Sequence, residues 1–183
     1  MAEALRTLEK ALLLELVYPT TETKLPARKD LKKKPKLMWV DTGLVNYAAA
    51  LQNEVYKKED ISDAWRGLIA EHIVGQEIIG ASNKFLEERN FWVREARNSQ
   101  AELDFLFISR NYGIVPVEVK GGNSSRLKSL QLFMQDSGSE IAIRFWGNFE
   151  SRNKIRASSG KEFTLFSLPY YYAGFIEEYL ELL

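Results

Sequence analysis

The stretch AELDFLFISRNYGIVPVEVKGG, residues 101–122, decides the fold. Leu103 to Ile108 is strongly apolar, and Ile114 to Val119 is β-branched and rich in valine. Arg110-Asn111-Tyr112-Gly113 joins them as a tight turn, so the two runs predict an antiparallel hairpin. In a strand, residues two apart point to the same face. Glu118 and Lys120 therefore project together, while Val117 and Val119 face the opposite layer. Asp104 lies on the partner strand and falls opposite Glu118 only if the hairpin is centred on residue 111. That requires an odd-length loop, such as a three-residue turn with Gly113 left-handed or bulged. Two adjacent carboxylates repel unless a cation neutralises them. Mg²⁺ or Mn²⁺ would do so and leave positions for water and a phosphate oxygen. Lys120 could then orient or help deprotonate the water and stabilise charge on the phosphate, which is metal-assisted in-line attack on a phosphodiester. A Glu-x-Lys pair is weak alone, since Glu22-Thr23-Lys24 repeats it in a predicted loop. The information lies in the order of a helix with Gly67-x-x-x-Glu71, Asp104 in an apolar strand, Glu118-x-Lys120 ending the next, and then an amphipathic helix.

Upstream of the hairpin, residues 91–94 read as a strand and residues 62–86 as a helix. Ile61, Trp65, Leu68, Ile69, His72 and Ile73 fall on one arc of that helix. Ser62 is its N-terminal signal, and a break is expected near Gly80. Residues 52–60 read as a charged connector. Before them come a helix from Asp41 or Thr42 to about Leu51, a short strand over Leu37–Val40, and a basic loop or wing over 20–36. A strand over Leu12–Tyr18 and a helix over 2–11 open the chain. Downstream, Leu127, Leu130 and Met134 predict a helix over 124–136. A strand at 141–146, a polar loop at 147–161 and a strand at 163–168 follow. Pro169 then starts a terminal helix whose apolar face is Tyr172, Phe175, Ile176, Tyr179 and Leu180.

Composition narrows the chemistry. The 183 residues contain no cysteine and one histidine, His72, so disulfides, thiolate chemistry and a zinc site built from several His or Cys are excluded. Hydrolysis would have to lean on carboxylates, lysine and a hard cation. No apolar run approaches the roughly 20 residues of a membrane span, and there is no signal-peptide layout, so a cytoplasmic location is expected. Formal net charge is zero, with 25 basic and 25 acidic residues, which weighs against a dedicated DNA-binding domain. The charge is uneven: Arg28, Lys29, Lys32, Lys33, Lys34 and Lys36 cluster against Asp30 alone.

The order of motifs resembles the restriction-endonuclease-like, PD-(D/E)XK superfamily. More closely, the chain resembles the C-terminal part of prokaryotic AAA-type ATPases that carry a P-loop module, a winged helix and a C-terminal domain of unknown function. The residues that carry this are Pro35-Lys36-Leu37-Met38-Trp39-Val40-Asp41-Thr42-Gly43-Leu44, Arg66-Gly67-Leu68-Ile69-Ala70-Glu71, Ala101-Glu102-Leu103-Asp104-Phe105 and Val115-Pro116-Val117-Glu118-Val119-Lys120-Gly121-Gly122. The resemblance implies an α/β fold: a mixed sheet with an αβββαβ core over 61–183, a winged-helix remnant and basic loop over 1–36, and a strand-helix linker over 37–60. It implies Asp104 and Glu118 as Mg²⁺ or Mn²⁺ ligands, Glu71 as an auxiliary ligand, and Lys120 as water-orienting base or charge stabiliser. DNA and an ATPase module are the implied partners, with no membrane. The rival expectation is a catalytically inactive nuclease-fold module that binds DNA or protein and docks to an ATPase. The chain lacks a phosphate-binding loop: Gly160-Lys161 is followed by Glu162, and Ile155 stands where the first glycine would be. A truncated reading frame or an excised fragment is therefore expected.

Each residue also has a plainer reading. Asp104, Glu118 and Lys120 could form a structural ion cluster at a strand end. Glu71 and Glu77 flank the apolar arc equally, and only the glycine four residues earlier favours Glu71. His72 reads as a satisfied, partly buried histidine, and Gln131 as a half-buried structural glutamine. The 28–36 run reads as a solvated loop, with phosphate contact as the alternative. Tyr170 to Tyr172 and Phe175 read as helix packing rather than base-stacking platforms. Asn123-Ser124-Ser125 matches a glycosylation acceptor, which has no meaning without secretion.

Overall fold

Valine-rich β6 (Gly113–Val119) is buried along nearly its whole length, which is what a central strand covered on both faces requires. It sits fourth in a seven-stranded mixed sheet, ordered β2 (Pro19–Thr20), β4 (Asn90–Val93), β5 (Glu102–Ser109), β6, β7 (Ile141–Trp146), β9 (Glu162–Pro169) and β8 (Ser151–Arg156). The pairs β2–β4, β6–β7 and β7–β9 are parallel, and the others are antiparallel. A separate two-stranded ribbon pairs β1 (Leu14–Val17) with β3 (Lys36–Trp39). The protein is described as a computed structural model covering residues 2–50, 63–81, 89–95, 101–121 and 127–183.

Two apolar layers hold the sheet. On one face, Ala70, Val74 and Ile78 of α3 (Asp63–Ala81) join Val115, Val117, Ile143 and Phe145, with Ile176 and Leu180 of α5 (Ile176–Glu181) beside them. On the other face, Leu130, Phe133 and Met134 of α4 (Lys128–Asp136) pack on Leu103, Leu106, Ala142 and Leu165. Trp92 meets Phe133 edge-on at 5.3 Å between centroids, a pairing worth about 1 kcal/mol beyond its buried area. The predicted α/β class is observed, and the order of helix, three strands, helix and strand runs from α3 to β7. α1 (Ala2–Lys10) and α2 (Thr42–Ala48) lie near their predicted places, and Asp41 caps α2 by accepting from Gly43 N and Leu44 N.

Several expectations are corrected. The polar stretch predicted as a loop over 147–161 contains β8, an edge strand paired only to β9, whose Arg152, Asn153 and Lys154 are exposed. A strand with solvent on its outer side needs no apolar pattern, so periodicity could not reveal it. The terminal helix does not start at Pro169. That residue ends β9, a 3₁₀ segment over Tyr170–Phe175 follows, and α5 begins only at Ile176. Phe175, assigned to the apolar face, is 64% exposed, while Ala173 is buried in its place. α3 runs through Gly80 to Ala81 without breaking there. The basic 20–36 stretch begins with Thr20 inside β2, which extends the sheet edge. The predicted connector at 52–60, the Ser62 cap and the glycosylation match at Asn123 lie outside the described residues.

Candidate metal centre

The site begins with hairpin register. β5 and β6 pair Ser109 with Gly113 and Phe105 with Val117, which centres the turn on residue 111. Gly113 has a φ of 65°, the left-handed conformation that a three-residue turn needs and that glycine adopts without strain. Glu177 secures this turn from α5, accepting from Arg110 N at 2.9 Å and Ser109 Oγ at 3.2 Å. Continuing the same register would place Asp104 opposite Glu118, but the ladder stops one pair earlier. β5 is bulged there. Asn90 and Trp92 of β4 face Leu106 and Leu103, so Asp104 and Phe105 together oppose Phe91 alone. The bulge breaks the alternation: Leu103 joins the α4-side core and Phe105 the α3-side core. It also re-aims Asp104, whose Oδ2 takes the N–H of Val119 at 2.7 Å in place of a ladder bond.

Glu118 is buried, and Lys120 Nζ bonds its Oε1. Among the described residues, its Oε2 is buried with no hydrogen-bond partner. An orphaned carboxylate oxygen costs on the order of 1–3 kcal/mol and calls for a cation or donor. The Lys120 backbone is held twice: its N–H goes to Phe145 O at 2.9 Å, and its carbonyl accepts the Tyr170 hydroxyl. Glu71 comes from α3, which lies against the chain just past Lys120. A Cβ on Gly121 would overlap the Gly67 backbone and stand 2.8 Å from the Arg66 carbonyl carbon. The glycine this approach demands is Gly121; a Cβ on Gly67 would meet nothing within 4 Å. Eight residues along the same helix, a Cβ on Gly75 would stand 2.9 Å from the Phe105 ring. Glu71 lies midway between these glycines, whereas Glu77 faces Gly174 of the 3₁₀ segment.

Lys36, at the start of β3, is the residue sequence reasoning missed. Its Nζ lies 2.8 Å from Glu71 Oε1, 2.8 Å from Glu102 Oε1 and 3.7 Å from Asp104 Oδ1. Burial pushes against its charge, but Glu71, Asp104 and Glu102 outweigh that and raise its pKa. Desolvation, then repulsion from Glu118 and Glu71, lifts Asp104 to about 7 against the pull of Lys36. Desolvation also raises Glu118, against the opposing effect of Lys120. No spacing rule links residue 36 to residue 104. The lysine was legible only as part of a basic run and of the stretch that carries the family resemblance, and Glu102 only as a neighbour of Asp104. Among the described residues, no group of three or more His, Asp or Glu is arranged as a metal site. Glu71 and Glu102 both turn to Lys36 instead, while Asp104 and the free oxygen of Glu118 remain suited to a hard cation.

His72 is buried at 4% exposure, as the apolar arc suggested. It is not fully satisfied, because Nδ1 has no partner. Desolvation lowers its pKa, so it is held neutral as a structural group. Gln131 is half-buried on α4. Tyr170 and Tyr172 spend their hydroxyls on the Lys120 carbonyl and Glu150, while Tyr171 is exposed. Part of the basic run forms one wall of a groove of about 760 Å³, with Lys33, Lys34, Lys36, Arg94, Glu102 and Ser129 among its lining. The groove therefore adjoins the carboxylates through Lys36 and Glu102. Among the described residues, no helix is long and apolar enough to cross a membrane.

Residues 66–171 match a family described as a domain of unknown function (DUF4143), and residues 1–55 match a second described as a domain of unknown function (DUF8612). No curated protein and no solved structure matches the chain.

Proposed function

This chain belongs to the DUF4143 family, and on that footing we propose that it is a PD-(D/E)XK-type, divalent-metal-dependent phosphodiesterase module acting on DNA. The observation that carries the reading is the bulge that sets Asp104 on the Val119 N–H, next to Glu118, whose second oxygen is buried without a partner beside Lys120. A bound Mg²⁺ or Mn²⁺ would neutralise these carboxylates and polarise the scissile phosphate. Asp104 and Glu118 would be the holding residues, and Glu71, which shares the Lys36 ammonium with Asp104, would be an auxiliary ligand through water. Lys120, fixed at its backbone by Phe145 and Tyr170, turns its ammonium from Glu118 to hold the attacking water and take up charge on the phosphate. The basic wall of the groove gives a phosphate backbone its approach, in keeping with the salt-dependent attraction such surfaces provide.

A second reading has its own support. Lys36 and Lys120 already neutralise Glu71, Glu102 and Glu118, as in a structural ion cluster. In that reading the module is inactive and binds DNA or docks to an ATPase. Plasmid nicking in Mn²⁺ separates the two. Wild-type protein should nick supercoiled DNA, and Asp104→Asn and Lys120→Ala should not. Absence of nicking by wild type, or nicking undiminished in both variants, sinks the enzyme reading.

A further inference from the structure

The ammonium of Lys36 stands where the metal reading needs open carboxylates. Its three N–H groups match three oxygens: Glu71 Oε1, Glu102 Oε1 and the more distant Asp104 Oδ1. A hard divalent cation takes such oxygens at roughly 2.1 Å. It could not share Glu71 and Asp104 with an ammonium already against them, because like charges in a partly buried site repel strongly. Yet Lys36 does not complete the cluster. Glu118 Oε2, in a side chain only 8% exposed, still has no partner. The cluster thus holds the ammonium groups of Lys36 and Lys120 while retaining an open acceptor for a further cation.

Lys36 also has somewhere to go. Its ammonium sits 4.7 Å from the Phe91 ring centroid, and both residues line the groove along with Lys33, Lys34 and Arg94. Its backbone stays fixed, paired with Val17 in the ribbon, so displacement needs only its four-carbon stem to turn. We propose that Lys36 and a divalent cation are alternative occupants of the same carboxylate cluster, so that Lys36 sets the metal affinity and swings into the groove when metal binds. This rests on the metal-site reading above. The swing has a chemical consequence: the displaced ammonium joins the basic wall beside which a phosphate backbone would run. Metal loading and phosphate binding are thereby coupled through one side chain.

The test uses Mn²⁺ alone as probe and reads binding, not activity. In titration calorimetry, Lys36→Met should bind Mn²⁺ at least about tenfold tighter than wild type, since two charge-assisted bonds no longer compete. Adding Asp104→Asn to Lys36→Met should abolish that binding. In parallel, acetylation of wild-type lysines is followed by mass spectrometry, with Lys34 on the same groove as reference. Lys36 should be protected without metal and become reactive with Mn²⁺. If Lys36→Met does not fold, the labelling of wild type decides alone. Equal Mn²⁺ affinity in wild type and Lys36→Met, lost in Asp104→Asn, overturns this inference and leaves the metal site standing. Lys36 labelling unchanged by bound Mn²⁺ does the same. No Mn²⁺ binding by any variant at millimolar metal overturns both.

Discussion

The β5–β6 hairpin and the β1–β3 ribbon each deliver a lysine to one carboxylate cluster, Lys120 to Glu118 and Lys36 to Glu71 and Glu102, by opposite means. Lys120 arrives by local geometry: a turn centred on residue 111, a strand two residues in period, and an anchored backbone. Lys36 arrives by tertiary packing. Its ribbon is tied down by Glu15, which accepts from buried Arg89 near β4, and by Met38, buried beneath Gly75 of α3. The hairpin therefore fixes its charge through a few neighbours in sequence. The ribbon fixes its charge through residues more than thirty positions away. The lesson is that the two halves of one charge cluster can be loosened separately.

The largest swing in stability is expected with pH. Asp104 and Glu118 both have folded pKa values raised above the unfolded ones, Asp104 to about 7. The folded chain thus holds protons that the unfolded chain has released. The stabilising contribution of Asp104 is complete below about pH 4 and is lost as pH rises through about 7, and that of Glu118 is lost in the same direction. Urea midpoints should fall across that window, and Asp104→Asn should flatten the fall. A flat wild-type profile would contradict the buried pair. Next, Glu15→Ala leaves the guanidinium of Arg89 buried without its partner and should cost about 3 kcal/mol in chemical denaturation. If the ribbon alone holds Lys36, the same change raises Lys36 acetylation and leaves Lys120 as it was. Gly121→Ala, forced against the α3 backbone, should cost about 2 kcal/mol by the same measurement. Glu177→Ala strips the hairpin turn of its acceptor and should cost about 1.5 kcal/mol, with Lys120 rather than Lys36 gaining reactivity. Smallest, Gly67→Ala has open space for its methyl and should stabilise the helix by up to about 1 kcal/mol. A loss there instead would show that the glycine serves the helix approach after all.

The hairpin was legible because its determinants are local. Alternation, the turn residues and Gly113 all lie within seventeen residues, so the hairpin could be expected, and a centre at 111 with Gly113 left-handed or bulged could be named as the condition for Asp104 to face Glu118. The bulge at Asp104 could not be, since the pattern around it is apolar whichever way the strand bends. β8 was hidden for a different reason. An edge strand with a solvated outer side carries arginine and lysine that read as loop. The 3₁₀ segment was misread because Tyr172 and Phe175 fit a helical stripe with Ile176, Tyr179 and Leu180, yet Tyr172 is tied to Glu150 by its hydroxyl and Phe175 is left exposed. Lys36 was visible as charge but not as site. Nothing in a single chain of letters reports that residue 36 meets residues 71, 102 and 104. The glycine before Glu71 pointed to the carboxylate that reaches Lys36, although the steric demand falls on Gly121.

That one-sided contact offers a way to read other chains. Where Gly121 has become a larger residue, α3 must have stepped back from the sheet, and the carboxylate it carries goes with it. Where the glycine persists but Asp104 or Glu118 has changed, the scaffold is intact and only the chemistry has been given up. Read beside those two carboxylates, a single small residue thus distinguishes a decayed architecture from a retired one.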